Sequence, residues 1–314
     1  MRTASLRRLA SVSDLKPFDK EQSRRHILGG ALASLSLALT ACSGASPDPS
    51  PAGSGNGSSG AAGNGQFRTL EQIKSSGTVR IGVFSDKAPF GYVDTDGKPA
   101  GYDVVYAERI GKDLGTQVEY VPVEAASRVE FLQTAKVDII LANFTVTPER
   151  KEKVDFANPY MKVALGVVSP DSALVSEASQ LSGKKIIVVK GTTAETWLTK
   201  NHPELELDKY EQYNDATSAL ADGRGDAWVT DNTEALAWAL ASNGFTAGIT
   251  NLGDPDSIAG AVTKGNETLL AWLNEQLITL GKEQFFHTDF EQTLRPVYGD
   301  SASVDELVVE GGQL

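Results

Sequence analysis

The sequence predicts an α/β fold that is divided into two lobes. Strand-like and helix-like segments alternate from Thr78 onward, which is typical of a sheet whose faces are covered by helices. The same alternation begins again after Pro170, and a chain of 314 residues is long enough for roughly two domains. We therefore expect two α/β lobes that follow one another along the chain.

The first half of the folded body opens with a buried strand over 78–84. An Asp-Gly pair then predicts a hairpin with its turn near Thr95–Gly97. Apolar residues at helical spacing predict a helix over 104–115 that stops at Gly115. The strand "QVEYVPV", the helix "SRVEFLQTAK" and the strand "VDIILAN" complete this half.

The second half repeats the pattern and ends in helices. "LSGKKIIVVKGTTAETWLTKNHP" predicts a strand, a tight turn and a helix. "LDKYEQYNDATSALADGRGDAWVTDNTEALAWALASN" predicts a strand, a helix, the strand "DAWVTD" and a further helix. The last segment has leucines at steps of three and four residues, which favours helical core packing over a partner-binding stripe. These leucines are Leu269, Leu270, Leu273, Leu277 and Leu280.

Residues 1–42 are typical of a lipoprotein signal peptide. The basic pair Arg24 and Arg25 precedes an apolar run over 27–41, which is shorter than the roughly 20 residues of a membrane-spanning helix. The ending Leu-Thr-Ala-Cys resembles a lipobox, so we expect lipidation at Cys42. The alternative is an ordinary signal peptide with an incidental cysteine. "SRRHIL" also resembles a twin-arginine export signal. Because two arginines before an apolar run are common, export by the Sec route and by the twin-arginine route are both consistent with this sequence.

Residues 43–66 are rich in Gly, Ser and Pro and contain too little apolar surface to fold, which predicts a flexible tether. A lipid anchor followed by a tether predicts an exported protein at the outer face of the cytoplasmic membrane, either on the cell surface or in a periplasm. No later stretch is long and apolar enough to suggest a membrane span.

Composition excludes several classes of function. A net charge of −12 argues against nucleic-acid binding, because phosphate groups would be repelled. A single cysteine excludes an internal disulfide and a cysteine metal cluster. Beyond the signal peptide, only His202 and His287 remain. Neither belongs to a recognisable carboxylate or nucleophile motif, so we expect solvated or capping roles. No zinc, nucleophile-elbow or phosphate-loop motif occurs. We therefore expect that the protein is not an enzyme and that it binds neither a metal ion nor a cofactor.

The segment "FTVTPER" indicates either a capped surface helix or an anion site. Thr147 can cap a helix whose first residue is Pro148, which places Arg150 in the first turn. A guanidinium group there suits a carboxylate, and Thr145 adds a hydroxyl donor. Taken alone, the segment favours the capped surface helix, in which Arg150 is solvated.

Two further segments shift the balance towards an amino-acid site. "KGTTAE" opens a helix whose free N–H groups favour an anion. "VTDNTE" puts Asp231 at a strand end, where it either takes an ammonium group or merely caps the next helix. An arginine in one lobe and an aspartate in the other are the partners that an α-amino acid needs when it is buried.

The stretch from about Thr78 to Gly299 resembles the extracellular solute-binding proteins, family 3, of polar-amino-acid ABC importers. The resemblance lies in "SDKAPFGYVDTDGKPAGYDV", "VEAASRVEFLQTAKVDIILANFTVTPERKEKVDFANPYMKVALGVV", "KGTTAE" and "RGDAWVTDNT". "SDKAPFGYVD", "VEAASRVEFL", "ANFTVTPER" and "LVVEGG" are most similar to the cysteine-binding lipoproteins.

The resemblance implies a type II periplasmic-binding-protein fold, in which two hinge strands join the lobes. The chain would cross near Tyr160–Ala164 and Ile258–Ala261. The first lobe would comprise 67–162 and 259–314, and the second lobe 163–258.

The resemblance also implies roles for individual residues. Arg150 and Thr145 would hold the ligand carboxylate with help from the helix start at Thr192 and Thr193. Asp231 would take the ammonium group, and Asn143 would lie at the strand end in the cleft. Relatives often hold the ligand between two aromatic side chains, whose places are taken by Lys87 and Ala125 here. Arg128 matches an arginine that relatives turn into the cleft.

The predicted function is therefore capture of a polar amino acid by closure of the two lobes, and its delivery to the permease and ATPase of an ABC importer. Cysteine is the first choice of ligand, with aspartate, glutamate and glutamine as alternatives. Two other classes share the fold: an enzyme of the cyclohexadienyl dehydratase type, and a sensor or adhesin.

Overall fold

The computed structural model describes residues 67–313. The predicted signal peptide, the predicted lipidation site Cys42 and the predicted tether over 43–66 lie outside the described residues.

The first lobe is built from short strands and helices up to residue 151. A capping box between Thr69 and Gln72 starts its first helix. Gly77 ends that helix in the left-handed conformation that glycine adopts without strain. The elements are α1 (Leu70–Ser76), β1 (Thr78–Val83), β2 (Asp86–Lys87), β3 (Gly91–Val93), β4 (Pro99–Ala100), α2 (Tyr102–Leu114), β5 (Gln117–Pro122), α3 (Arg128–Gln133), β6 (Ile139–Ile140) and α4 (Pro148–Lys151).

The remaining elements comprise the second lobe, two long strands and the C-terminal helices. The long strands are β7 (Val154–Pro170) and β11 (Phe245–Thr263). Between them lie β8 (Lys185–Val189), α5 (Thr193–Asn201), β9 (Glu206–Tyr210), α6 (Tyr213–Ala221), β10 (Ala227–Asp231) and α7 (Asn232–Ala241). After them come α8 (Glu267–Glu283), α9 (Phe285–Asp289), α10 (Arg295–Tyr298) and α11 (Val304–Leu307).

One sheet runs through both lobes in the order β5-β1-β6-β11-β7-β10-β8-β9. β1 is parallel to β5 and β6, and β8 is parallel to β9 and β10, so each end of the sheet is a parallel α/β layer. The two long strands in the middle are antiparallel to each other. They form a two-stranded ribbon that connects the lobes.

The predicted hinge segments both fall in this ribbon. Tyr160–Ala164 precedes Leu165, at which β10 begins to pair with β7. Ile258–Ala261 ends at Ala261, which pairs with both β6 and β7. The residue borders of the two lobes remain a prediction.

The predicted α/β alternation and the C-terminal helices are confirmed. The helix predicted from residue 104 begins two residues earlier and ends at Gly115 as expected, with a left-handed φ of 70°. Four of the five leucines are at most 1% exposed and belong to the core of the first lobe. The fifth, Leu270, is partly buried and packs against the same core.

Two expectations about strands were wrong in extent. The segment "VDIILAN" forms a strand only at Ile139–Ile140, because Asn143 adopts a left-handed φ of 43° that turns the chain away from the sheet. Of the strand β11, only the hinge segment Ile258–Ala261 was predicted, since the Gly, Asn, Asp and Pro residues before it are typical of loops. The whole strand forms because β7 offers a partner of similar length, and register shifts accommodate the loop-like residues between 247 and 261.

Across residues 67–313, none of the helices combines the length and the apolar composition that a crossing of the bilayer would require.

Candidate binding cleft

The end of β6 is held in place by a buried carboxylate. Asp103, which is fully buried, accepts the Asn143 main-chain N–H at 2.7 Å and the Tyr160 hydroxyl at 2.6 Å. Burial raises the pKa of Asp103 to about 6, although both donors favour its ionised form. Asn143 itself is 2% exposed and lies at the strand end where it was expected. These bonds fix the backbone from which the next segment leaves the sheet.

The predicted cap of α4 is confirmed. The Thr147 side chain accepts the Arg150 N–H at 3.2 Å, and Pro148 occupies the first helical position. The guanidinium of Arg150 turns back over the strand end. It donates to the Thr145 carbonyl at 2.6 Å and to the Gly191 carbonyl, in the second lobe, at 2.9 Å. Arg150 is therefore bound between the lobes and is not a solvated surface side chain.

Arg128 supplies a second guanidinium at the same place. It is 2% exposed and donates only to main-chain carbonyls, one of which is that of Gly191 at 3.2 Å. Its guanidinium carbon lies 4.5 Å from the centroid of the Phe144 ring, and that of Arg150 lies 4.8 Å from it. The other three carbonyl acceptors of Arg128 are those of Ala125, Ala142 and Asn143.

These two guanidiniums, which we call the guanidinium end of the cleft, carry charge that the protein leaves unbalanced. Within the described chain, neither Arg128 nor Arg150 forms an ion pair with a carboxylate. Burial lowers the pKa of Arg128, and burial together with the nearby Arg128 lowers the pKa of Arg150 to about 9. Two close, desolvated positive charges favour a bound anion.

The start of α5 borders the guanidinium end. The Thr192 hydroxyl donates to the Val189 carbonyl at 2.6 Å and accepts the Glu195 N–H at 3.2 Å, so it caps the helix. Thr193 is the first residue of that helix. A Cβ atom added to Gly191 would lie 2.4 Å from Cα of Ala126, in the first lobe. Glycine is therefore needed where the two lobes approach each other.

The opposite end of the cleft, which we call the carboxylate end, contains Lys87, Asp231 and Glu234. The Lys87 ammonium is 3.0 Å from Asp231 Oδ2 and 2.8 Å from Glu234 Oε2. It also donates to the Tyr213 hydroxyl at 3.1 Å. Lys87 belongs to the first lobe and its three partners to the second, so these contacts cross the cleft.

Burial and ion pairing oppose each other at the carboxylate end. Burial alone would lower the pKa of Lys87, but Asp231 and Glu234 raise it well above its usual value. Burial raises the pKa of Glu234 to about 7, although Lys87 and the Thr230 hydroxyl favour its ionised form. Asp231 precedes α7, yet its side chain makes no capping hydrogen bond. The interpretation of Asp231 as a mere helix cap is therefore wrong.

The two ends meet at an aromatic floor that the sequence did not reveal. The Phe84 ring lies 5.4 Å from the Arg128 guanidinium carbon and 5.8 Å from the Lys87 ammonium nitrogen. Its edge packs on Tyr213, with ring centroids 5.3 Å apart. Lys87 and Ala125, which the resemblance placed at the positions of two ligand-holding aromatic side chains, are both buried. Aromatic surface is supplied instead by Phe84, Phe144 and Tyr213.

All eight residues that the sequence singled out lie along this cleft. Lys87 and Asp231 are at the carboxylate end, and Arg128, Asn143, Thr145, Arg150, Thr192 and Thr193 are at or beside the guanidinium end. The Thr145 carbonyl accepts a hydrogen bond from Arg150, and donation from the Thr145 hydroxyl to a ligand stays a prediction. Sequence reasoning missed Glu234, Tyr213 and Gly191. Only Glu234 had a signal, because it follows Asp231 by three residues and so falls on the first turn of the same helix.

The expectation that the two histidines lack carboxylate partners was wrong. Nδ1 of His202 lies 3.2 Å from Glu204, and Nδ1 of His287 lies 2.9 Å from Glu310. Nε2 of His287 also lies 3.3 Å from Asp305. Among residues 67–313, no three His, Cys, Asp or Glu side chains converge in a way that could hold a metal ion.

Comparison with known proteins identifies relatives of this arrangement. The family described as bacterial extracellular solute-binding proteins, family 3, matches residues 79–288. The solute receptor for L-cysteine of Neisseria gonorrhoeae is 49% identical with a TM-score of 0.76, over 77% of this chain and 100% of that one. The cysteine-binding protein of Campylobacter jejuni is 48% identical with a TM-score of 0.76, over 77% of this chain and 98% of that one. The L-cystine-binding protein of Escherichia coli K12 is 28% identical over 68% of this chain and 81% of its own.

Proposed function

Because this chain belongs to the bacterial extracellular solute-binding proteins of family 3, and has their type II periplasmic-binding-protein fold, we propose that it captures free cysteine between its two lobes and delivers it to an ABC importer. Relatives in this family bind amino acids for ABC transporters, and most of the similar proteins are binding proteins. The dehydratase alternative is therefore set aside.

The observation that carries the proposal is the separation of charge along the cleft. At one end lie the buried guanidinium of Arg128 and the half-buried guanidinium of Arg150, neither with a carboxylate partner among residues 67–313. At the other end, two carboxylates share a single ammonium. A zwitterionic amino acid has the complementary order of charges. Its carboxylate and its ammonium group would each exchange water for a charged partner, which is what makes burial of such a ligand favourable.

We assign roles to the residues on this basis. Arg150 and Arg128 hold the α-carboxylate, and the N-terminus of α5 at Thr192 and Thr193 adds a favourable dipole. Lys87 already uses Asp231 Oδ2, so the α-ammonium group binds Oδ1 of Asp231. Ligand contacts from both lobes favour the closed arrangement, because each contact across the cleft exists only when the lobes are together.

Cysteine is the ligand that the comparisons favour. The two proteins described as cysteine-binding are 48% and 49% identical to this chain, whereas the L-cystine-binding protein is 28% identical. Aspartate and glutamate are a second candidate class, because Arg128 lies beside Arg150 and could receive an acidic side chain.

Isothermal titration calorimetry of the purified protein distinguishes these ligands. We expect cysteine, kept reduced, to bind more tightly than aspartate, glutamate, glutamine and cystine. Tighter binding of glutamate or aspartate would move the ligand assignment to the acidic class. An absence of heat with every member of the panel would contradict the proposed function.

Membrane attachment is a separate part of the proposal. We propose that Cys42 is lipidated and that the protein works at the outer face of the membrane, beside its permease and ATPase. The support is the Leu-Thr-Ala-Cys ending and the Gly/Ser/Pro-rich stretch behind it. In cells, Cys42→Ser should move the protein from the membrane fraction to the soluble fraction. Retention in the membrane fraction would contradict lipidation at this residue.

A further inference from the structure

Lys87 places a cation of the protein itself inside the cleft. Its side chain is 1% exposed, and its ammonium nitrogen lies within 3.1 Å of three acceptors in the second lobe. A lysine ammonium has three donors and no acceptor. All three donors are therefore used on Tyr213, Asp231 and Glu234, and none is left for a ligand. Lys87 must act on a ligand through its charge and its volume.

The carboxylate end has room for only one more positive charge. Asp231 and Glu234 together offer at most two negative charges, and Lys87 offsets one of them. Because burial raises the pKa of Glu234 to about 7, the two side chains carry less than their full charge at neutral pH. The α-ammonium group of a bound amino acid would balance what remains. A second ligand cation would meet Lys87 after both of these carboxylates are offset, and the neighbouring carboxylate of Asp86 already accepts the Tyr213 main-chain N–H.

Both ends of the cleft present positive charge to a cationic side chain. At the carboxylate end this charge is that of Lys87, which lies between Asp231 and Glu234. At the other end of the cleft, Arg128 and Arg150 would repel a cationic side chain as well.

We propose that Lys87 is a resident counter-cation, which makes the cleft reject amino acids with a cationic side chain and accept those whose side chain carries no positive charge. This inference rests on the proposed amino-acid binding and adds a rule for its selectivity. An uncharged side chain at position 87 would leave Asp231 and Glu234 free to receive a cationic ligand.

The test is a titration of three proteins with cysteine and with ornithine: the wild type, Lys87→Ala, and the double variant Lys87→Ala with Glu234→Gln. We expect the wild type to bind cysteine and to bind ornithine far more weakly. Lys87→Ala should gain ornithine affinity by at least about tenfold over the wild type. The double variant should lose that gain, because a single carboxylate remains for two ligand ammonium groups.

Three results would overturn the inference. The first is a folded Lys87→Ala protein whose ornithine affinity equals that of the wild type. The second is an equal gain in the double variant, since this would make space and not charge the cause. The third is a similar gain in Lys190→Ala, which removes a surface ammonium paired with Glu211 and serves as the matched control.

Failure of the proposed function is distinguishable from failure of this inference. A wild type that binds cysteine, together with a Lys87→Ala variant that rejects ornithine, contradicts only the role of Lys87. A wild type that binds no amino acid contradicts both. If Lys87→Ala lacks a cooperative thermal transition, Lys87→Met keeps the aliphatic stem and replaces it, with the same expected and contradicting results.

Discussion

The two ends of the cleft hold their charges in different ways. At the guanidinium end, Arg128 and Arg150 donate to main-chain carbonyls, which carry only partial charge. At the carboxylate end, Lys87 forms ion pairs with Asp231 and Glu234. The positive charge of the first end is therefore unbalanced within the protein, whereas most of the negative charge of the second end is already compensated.

This difference predicts an unequal distribution of binding energy. The ligand carboxylate would interact with two fully charged guanidinium groups. The ligand ammonium would interact only with the Asp231 oxygen that Lys87 does not occupy. Removal of a guanidinium should consequently weaken binding more than removal of a cleft carboxylate. Each prediction below tests one side of this comparison, from the largest expected effect to the smallest.

Arg150→Ala is expected to lower cysteine affinity more than any other single change. It leaves a buried ligand carboxylate without its main partner, at a cost of about 3–5 kcal/mol, or more than about 100-fold in Kd. Calorimetry measures this loss. Arg224→Ala, which removes a guanidinium paired with Asp222 at the surface, is the matched control. An Arg150→Ala affinity within a few-fold of the wild type would remove Arg150 from the site.

Asp231→Asn should cost less than Arg150→Ala. It removes one charged partner of the ligand ammonium, worth about 1.5–3 kcal/mol, while Glu234 and Tyr213 continue to hold Lys87. The same titration with Asp222→Asn, an exposed aspartate, controls for net charge. Unchanged affinity in Asp231→Asn would place the ligand ammonium elsewhere, and a loss larger than that of Arg150→Ala would reverse the comparison.

Gly191→Ala tests the approach of the lobes without removing a charged group from either end of the cleft. The new Cβ would collide with the main chain of Ala126, so the lobes could not close fully. We expect cysteine affinity to fall by roughly tenfold, equivalent to about 1.4 kcal/mol. Small-angle scattering with saturating cysteine should show a larger radius of gyration than for the wild type.

Gly183→Ala is the matched control for this variant. Gly183 has nearly the same left-handed φ, 72° against 74° for Gly191, but no atom lies within 4 Å of its added Cβ. It therefore reproduces the backbone strain without the collision. Equal losses of affinity in the two variants would show that strain, and not blocked closure, is responsible.

Asp289 shows what a buried carboxylate does without a counter-ion, in contrast to Glu234. It is 1% exposed, and among the described residues its Oδ2 atom has no hydrogen-bond partner. Burial raises its pKa to about 9. The folded chain thus keeps a proton that the unfolded chain releases near pH 4, so stability falls as the pH rises from about 4 to about 9.

Asp289→Asn should remove the part of that slope that Asp289 contributes, and leave the smaller part that comes from Asp103 and Glu234. At pH 8 we expect the variant to be more stable than the wild type, with a Tm that is higher by roughly 2–4 °C for each kcal/mol gained in the free energy of unfolding. The curves of Tm against pH for the two proteins should converge towards pH 4. Thermal unfolding followed by circular dichroism across this pH range measures the effect. Asp300→Asn, at an exposed aspartate, should leave the slope unchanged. A wild-type Tm that is flat with pH would contradict the assigned protonation of Asp289.

Local features of the cleft were predictable because they depend on neighbours in the sequence. The cap of α4 needs only Thr147 and Pro148, which lie beside Arg150 in the chain. The start of α5 likewise follows from Gly191 and Thr192. By contrast, β11 reads as a loop on its own and becomes a strand only against β7. Pairing between segments that are far apart in the chain has no local signal.

The sequence by itself determined the order of the elements, the leucine core of α8 and the identity of the charged residues near the cleft, since periodicity and capping act over a few residues. It did not determine how those charges are paired. Lys87 meets its three partners across 126 to 147 residues of chain. Only the tertiary structure brings β2 against β10 and α7, and that approach decides that one end of the cleft is largely neutralised while the guanidinium end keeps its charge.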